Sequence, residues 1–267
     1  MSIRWRPAYT RKGGGSVRER CLLTLAVGMR ANHWLPERLS VRMKQARPGA
    51  ARTCGLHLCL RTVAGLAAHL SAVGLSVFVG GLSRLGTSHF SWHPACMTAA
   101  VCFCMTEAVL TFSKDSSPFF CCSVKAKVRL HWMMQVLAMI LGSIGLIFIV
   151  SSKNISEFPH LTSWHSILGI GTVIAVCGQL QCGLCLLFPN LITTYSVGRL
   201  RLYHTTCGLV AYLMATATVI LGLCSDWFKA QVNVVLWYSC LIVPLIPALV
   251  IMNQINNGYL SKKKIEI

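Results

Sequence analysis

The sequence predicts an all-α membrane protein, a bundle of six transmembrane helices with both chain termini on the cytosolic side. Three observations lead to this fold class. Of the 267 residues, 54% are hydrophobic and only 12% are charged, six apolar segments reach the length of a membrane span, and the basic residues concentrate in alternate loops. A span needs about 20 apolar residues, and a helix satisfies its own backbone hydrogen bonds in lipid. Nothing in the sequence suggests a soluble catalytic domain.

The six apolar segments follow one another between residues 53 and 260, which we take as the transmembrane domain. At a rise of about 1.5 Å per residue, each helix is long enough to cross roughly 30 Å of hydrocarbon. The segments cover residues 61–82, 90–112, 128–150, 164–188, 202–223 and 234–252.

Lysine and arginine in the short loops predict the orientation. Positive charge favours the cytosolic side, and it gathers after the second and fourth segments and in the basic tail, residues 261–267. Because an even number of spans returns the chain to its starting side, both termini are expected in the cytosol. The residues concerned are Lys114, Lys125, Lys127, Arg129, Arg199, Arg201, Lys262, Lys263 and Lys264.

Residues 1–52 hold 12 of the 25 lysines and arginines and predict a basic, disordered extension. Their apolar patch, residues 21–28, is too short to span a bilayer. A basic arm can bind nucleic acid, but beside a membrane bundle it is more simply a cytosolic flank, so we expect the lipid bilayer and no nucleic acid as a partner. A mitochondrial targeting peptide, which is also rich in arginine and poor in acids, stays open as an alternative.

The chain contains fourteen cysteines, most of them inside the apolar segments. Cys182 and Cys185 form a C-x-x-C, but no second pair stands at the spacing of a zinc site. We therefore interpret the cysteines as small apolar packing residues rather than as a disulfide framework.

Four histidines occupy the same place in four consecutive segments. His93, His131, His165 and His204 each lie just inside the N-terminal end of their helix, 38, 34 and 39 residues apart. Because successive spans alternate in direction, His93 and His165 share the outer leaflet, and His131 and His204 share the inner one. Facing helices of a bundle build cofactor sites in this way, and a haem iron with two axial imidazoles fits each pair. Such ligation leaves no open position on the iron and favours electron transfer.

Other interpretations of the histidines stay open. A lone histidine near a helix end is usually an interfacial polar residue, although four in register are harder to explain in that way. A zinc site normally has four ligands at one depth, whereas these histidines divide into two pairs at two depths. The alternative functions are a non-redox membrane carrier with an intramembrane histidine relay, and a quinol-linked haem subunit.

The sequence around these histidines resembles the cytochrome b561 family of six-helix, ascorbate-dependent transmembrane reductases. The resemblance covers residues 61–259, about three quarters of the chain, and leaves out residues 1–52. The C-terminal VIMNQINNGYL resembles the branch of cytochrome b561 domain-containing proteins. The other matching pieces are SWHP at 91–94, RLHW at 129–132, SWHSILG at 163–169 and LYHTTCGL at 202–209.

The resemblance implies two haem b groups per chain, one with His93 and His165 as its ligands and the other with His131 and His204. It also implies cytosolic ascorbate as the electron donor, and monodehydroascorbate radical or ferric iron as the acceptor on the opposite side. We expect a multi-pass transmembrane reductase of an endomembrane or vesicle membrane, as a single chain or as a homodimer.

Basic residues near the inner histidines are the candidate binding residues for ascorbate, which is an anion at neutral pH. They attract an anion, although the positive-inside rule alone explains each of them as well. They are Lys125, Lys127 and Arg129 before His131, and Arg199 and Arg201 before His204.

Two further positions qualify this picture. Better-known branches of the family carry a lysine five residues before the inner ligand, where this sequence has Ala126 with a lysine on either side. The contacts of ascorbate are therefore expected to differ in detail. On the outer side, His160 is the candidate for contact with the acceptor or for a proton shuttle, with an ordinary exposed loop histidine as the alternative.

Two ionisable residues lie inside the segments without an assigned role. His69, in the first segment, has no partner at matching depth and is expected to be a packed, hydrogen-bonded residue. The carboxyl group of Glu107, in the second segment, must be paired or protonated in the membrane. We expect an ion pair with Arg129 or Lys127, with a protonated, structural Glu107 as the alternative.

Overall fold

The computed structural model describes residues 48–113, 117, 122–188 and 197–266. The chain divides into two units, Met1–Arg61 and Thr62–Ile267. In the first unit only residues 48–61 are described, and they are helical. Most of the predicted extension therefore lies outside the described residues. The sites discussed below belong to the second unit.

The described part of the chain is helical, with no strand, as the sequence predicts. Six segments in it are long and apolar enough to cross a membrane, and α7 and α8 together form the sixth. The helices are α1 (Pro48–Ser83), α2 (His89–Leu110), α3 (Val124–Ile155), α4 (Trp164–Leu187), α5 (Val197–Leu223), the short α6 (Asp226–Lys229), α7 (Val234–Ile242) and α8 (Leu245–Glu266).

Serine residues cap the N-terminal ends of α2, α3 and α4, three of the helices that carry the four candidate histidines. The hydroxyl oxygens of Ser88, Ser123 and Ser163 each accept a hydrogen bond from a backbone N–H three residues later. These N–H groups have no partner within a helix, so a capping oxygen stabilises the first turn. The caps fix where α2, α3 and α4 begin, and hence the depth of the histidines that follow.

Helix α2 packs against α3, and α4 packs against α5, so the centre of the bundle consists of two antiparallel pairs. Helix α8 adds to this centre by packing against α5 and the end of α2. Small side chains allow helices to approach closely in a membrane. Accordingly, Ala100, Cys104, Ala138, Ala215 and Ala248 are buried together in the core.

Four of the eleven described cysteines are buried packing residues, as the sequence predicts, and three are exposed. Cys102, Cys104 and Cys240 are buried among apolar side chains. Every cysteine whose side chain the structure describes is a free thiol. Outward-facing positions carry large apolar side chains such as Val77 and Ile174, which are 69% and 67% exposed, as a lipid-facing surface requires.

A π-helical turn interrupts α2 at Ala99–Met105. At its end, the Thr106 hydroxyl donates to the carbonyl oxygen of Val101, five residues earlier, at 3.1 Å, and lies 2.8 Å from the Tyr212 hydroxyl of α5. A π-turn adds one residue to the helix and rotates the segment that follows. This turn therefore sets the direction in which residues 106–109 point.

Replacing Tyr212 with phenylalanine should lower the free energy of unfolding by about 0.6 kcal/mol, the typical contribution of an interhelical hydrogen bond in a membrane. Tyr212 is only 3% exposed, so no water replaces the lost partner. Equilibrium unfolding in detergent measures the change. The same replacement at Tyr203, which is 54% exposed on the same helix, is the control. An equal loss in both variants would contradict a specific role of the buried bond.

Candidate functional site

The structure brings the four histidines together in two pairs. The ring centres of His93 and His165 are 6.0 Å apart, and we call these residues the α2–α4 pair. The ring centres of His131 and His204 are 6.2 Å apart, and we call these the α3–α5 pair. In each pair the two ring planes are nearly perpendicular, at 87° and 88°. The pairing is the one expected from alternate crossings, while a ligand role stays a prediction.

The spacing within each pair suits one metal ion between two imidazoles. A histidine nitrogen lies about 2 Å from a bound metal, and each ring centre lies about 1 Å behind its nitrogen, so two such rings have centres roughly 6 Å apart. Both measured distances agree with this value. The residues present therefore fit an iron porphyrin with two axial histidines.

Backbone carbonyl groups hold three of the four rings. An Nδ1–H that donates to a carbonyl fixes the tautomer and the ring direction, and it leaves the Nε2 lone pair free for a metal. The bonds run from His93 Nδ1 to Gly145 O at 3.1 Å, from His165 Nδ1 to Thr218 O at 3.0 Å, and from His131 Nδ1 to Ala108 O at 2.9 Å.

His204 is held differently. Its Nδ1 atom is buried and has no hydrogen-bond partner among the described residues. Its ring lies against α4, where a Cβ added at Gly183 would be 3.4 Å from Cε1. Packing, rather than a carbonyl acceptor, therefore orients this ring.

Two glycines allow close approach near the α2–α4 pair, one of α5 to the His165 ring and one of α3 to α2. A Cβ at Gly222 would lie 3.1 Å from Cε1 and 3.4 Å from Nδ1 of His165. A Cβ at Gly145 would lie 3.2 Å from the Cys96 Cβ and 3.3 Å from the Met97 Cγ. Neither glycine could be identified from the sequence, because nothing in an apolar helix marks which glycine faces a ring or a neighbouring helix.

The two pairs lie at different depths of the bundle. Fourteen residues of α3 separate His131 from Gly145, the partner of His93. On α5 the same number separates His204 from Thr218. At about 1.5 Å per residue, both counts give a separation of about 21 Å along the helices.

The predicted basic residues lie at the end of the bundle that holds the α3–α5 pair. His131 and His204 are each the eighth residue of their helix, counted from Val124 and Val197. The Lys127 side chain is half-buried one turn before His131, and the other basic side chains are exposed. Those others are Lys125, Arg129, Arg199 and Arg201.

His160 lies near the opposite end, in the loop between α3 and α4. It is exposed, and its Nε2 atom is 2.8 Å from Asn154 Oδ1 at the end of α3. Next to it, Lys153 Nζ donates to the Pro159 carbonyl at 2.8 Å. These two contacts tie the loop that precedes His165 to the end of α3.

The expected pairing of Glu107 with Arg129 or Lys127 is wrong. The Nδ1 atom of His69 lies 2.9 Å from Oε1 and 2.8 Å from Oε2 of Glu107. His69, for which no partner at matching depth was expected, therefore has one.

Rotation about the helix axis explains the difference. Successive residues of a helix differ by about 100° around its axis. The Ala108 carbonyl accepts from His131 of α3, while the side chain of the preceding residue, Glu107, reaches α1. The sequence did carry a signal. His69 is 14 residues from the end of α1 and Glu107 is 18 residues from the start of α2, a difference of about one turn.

The zinc alternative finds no support in the ranges that the structure describes. No group of three or more histidine, cysteine or acidic side chains comes together there in a way that could hold a metal ion. A zinc site needs four ligands or three and a water.

Comparison with known proteins decides the family. Residues 92–229, which are 138 of the 267 residues, match the family described as "Eukaryotic cytochrome b561". The chain belongs to the cytochrome b561 family. Membership of the cytochrome b561 family implies that the chain binds haem b, and the residues that could hold it are the two histidine pairs.

Similar proteins in the family carry names that support a membrane-spanning oxidoreductase. The "Probable transmembrane reductase CYB561D1" of Mus musculus is 54% identical over 82% of this chain and 96% of its own length. The "Transmembrane reductase CYB561D2" of Bos taurus is 43% identical over 79% of this chain and 95% of its own length. The "Transmembrane ascorbate-dependent reductase CYB561" of Ovis aries is 26% identical over 58% of this chain and 60% of its own length. This similarity agrees with the domain-containing branch of cytochrome b561, and with its member 1.

Proposed function

We propose that this chain transfers electrons across a membrane through two haem b groups, held by the α2–α4 pair and the α3–α5 pair. The observation that carries the proposal is the spacing of about 6 Å within each histidine pair. Haem iron with two imidazole ligands supplies one-electron transfer without an open coordination position. The histidines hold and orient the two groups, and the apolar helices keep water away from them.

Ascorbate in the cytosol is the proposed electron donor. The ascorbate-dependent reductase of Ovis aries supports it, and so does the maize relative named "Ascorbate-specific transmembrane electron transporter 2", which is 27% identical over 58% of this chain. The basic residues at the ends of α3 and α5 attract an anion to the α3–α5 pair. Positive charge favours the cytosol, so this end, and with it both chain termini, is assigned to the cytosolic side.

The acceptor is proposed to be monodehydroascorbate radical or ferric iron, near the α2–α4 pair on the opposite side. The loop between α3 and α4 carries the exposed His160, and Lys153 at the end of α3 donates to the Pro159 carbonyl of this loop. Contact of His160 with the acceptor is part of this proposal, and its bond to Asn154 holds the ring in place. A chain with these partners suits an endomembrane or vesicle membrane.

A reduced-minus-oxidised spectrum of the purified chain tests the proposal, with haem counted per polypeptide. We expect two haem b groups, both reduced by ascorbate. A sample without haem absorbance would favour a non-redox carrier with a histidine relay. Reduction by quinol but not by ascorbate would favour a quinol-linked haem subunit. Either result would overturn the proposal.

Replacing Lys127 with alanine is expected to raise the KM for ascorbate about threefold, the effect of losing one partly exposed charge contact, with little change in kcat. Lys127 is the basic side chain one turn before His131 and is half-buried. Initial rates of haem reduction at several ascorbate and salt concentrations measure the effect, which salt should reduce. Lys153→Ala, at the opposite end, is the control, and an equal rise in that variant would contradict a local role of Lys127.

A further inference from the structure

Four consecutive residues of α2 are hydrogen-bonded to four different helices, and we call residues 106–109 the α2 junction. Each contact comes from a different atom of the segment that follows the π-helical turn. The contacts are Thr106 Oγ1 with Tyr212 of α5, the Glu107 carboxylate with His69 of α1, the Ala108 carbonyl with His131 of α3, and the Val109 carbonyl with Gln254 of α8.

The His69–Glu107 contact is an ionisable pair inside the membrane region. Glu107 is the only acidic residue in the six membrane-spanning segments of the described chain. The two side chains are 17% and 18% exposed. An ionisable group at this depth is costly unless it is paired, and such groups commonly serve in proton relays. The proposed electron transfer does not use this pair.

The pair can bind a further proton without losing its contact. With one shared proton it carries no net charge, whether the proton is on the imidazole or on the carboxyl group. With a second proton it carries one positive charge, and a carboxyl group and an imidazolium remain within hydrogen-bond distance. The pair can thus change its charge by one while its position in the bundle stays the same.

The position of the pair links it to the α3–α5 pair. Glu107 precedes Ala108, whose carbonyl holds the ring of His131 at 2.9 Å. An electron taken up at the haem site of His131 and His204 would add one negative charge in a medium of low dielectric. Charges interact strongly in such a medium, so a proton nearby is bound more tightly.

We propose that the His69–Glu107 pair takes up one proton when the haem held by the α3–α5 pair is reduced. The inference rests on the proposed function. The electron comes from ascorbate and reduces iron from the ferric to the ferrous state, and the proton comes from water at the same surface. Uptake of one electron and one proton leaves the net charge of this region unchanged.

Other titratable groups surround the junction. They include Tyr212 on α5, His131 on α3 and Cys102 on α2, and α8 contributes the uncharged Gln254. Tyr212 and His131 are already hydrogen-bonded to Thr106 and Ala108. The carboxylate of Glu107 is the one acidic group among them that a single conservative substitution can neutralise.

Redox titrations of the purified full-length chain over a range of pH test the inference. In the wild-type chain, we expect the midpoint potential of one haem to fall as the pH rises, because reduction binds a proton. In Glu107→Gln, which keeps the size and a hydrogen bond to His69, this pH dependence should disappear. Glu157→Gln, in the exposed loop after α3, is the matched control and should behave like the wild type.

A Glu107→Gln variant that keeps the wild-type pH dependence would overturn the inference. If that variant does not fold, infrared difference spectra of the wild-type chain, reduced minus oxidised, give a second test. A change in the carboxyl or imidazole bands that responds to deuterium is expected, and its absence would overturn the inference.

The two proposals fail in different ways. Fewer than two haem groups in the wild-type chain would contradict the proposed function, whatever Glu107 does. Two ascorbate-reducible haem groups, with potentials that do not depend on pH, would contradict only the proton uptake.

Discussion

Replacing His131 with alanine is expected to remove one of two haem groups and to leave the other in place. The ring of His131 lies 6.2 Å from that of His204 and is held by the Ala108 carbonyl. Without it, one side of the iron would lose its protein ligand. The reduced-minus-oxidised absorbance per chain should fall by about half, since one of the two bis-imidazole sites is lost.

Double variants test the pairing itself. Two ligands of one site act as a unit, so removing the second should cost little more than removing the first. His131→Ala combined with His204→Ala should therefore still keep one haem per chain. His131→Ala combined with His165→Ala should keep none. Both counts follow from the pairing of α2 with α4 and of α3 with α5.

His89→Ala is the matched control for these variants. His89 lies four residues before His93 on α2, and its ring faces Phe148 at 6.0 Å rather than another histidine. We expect the full haem content in this variant. A cross-pair double variant that still holds one haem would contradict the assignment of ligands to pairs.

The helices and the histidine pairs could be predicted because both follow from composition and from position along the chain. A membrane-spanning segment must form its backbone hydrogen bonds within itself and is therefore a helix. Its length and apolar composition identify it. Direction alternates from span to span, so the position of His93 or His204 along the chain gives its depth. Depth alone was enough to group the four histidines two by two.

Rotation about the helix axes could not be predicted in the same way. Helices α4 and α5 are apolar on most sides, so no polar face indicates which residues meet a neighbour. The π-helical turn of α2 adds a further rotation just before Glu107. For this reason the sequence placed Glu107 beside the basic residues of α3, whereas the structure places it beside His69.

The position of Gly222 beside His165 also depends on helix rotation, and replacing this glycine is the second change with a large expected effect. Gly222→Ala should lower the occupancy of the haem at the α2–α4 pair. The new methyl group would lie 3.1 Å from Cε1 of His165. The ring has little freedom to move away, because its Nδ1 is bonded to the Thr218 carbonyl and His93 lies on its other side. Overpacking of this kind costs about 1–3 kcal/mol.

Haem content and the free energy of unfolding measure the effect, and Gly178→Ala on α4 is the matched control. A Cβ at Gly178 meets no atom within 4 Å. In a helix, alanine is more favourable than glycine by roughly 0.5–1 kcal/mol, so this control should keep both haem groups with equal or higher stability.

Combination with a ligand variant shows which site Gly222 serves. Gly222→Ala together with His131→Ala should hold less than one haem per chain, because each change affects a different pair. Gly222→Ala together with His165→Ala should keep the haem of the α3–α5 pair, because both changes affect the same site. If the first combination still held one full haem, the methyl group would not disturb His165. The close approach of α5 to that ring would then not limit haem binding at the α2–α4 pair.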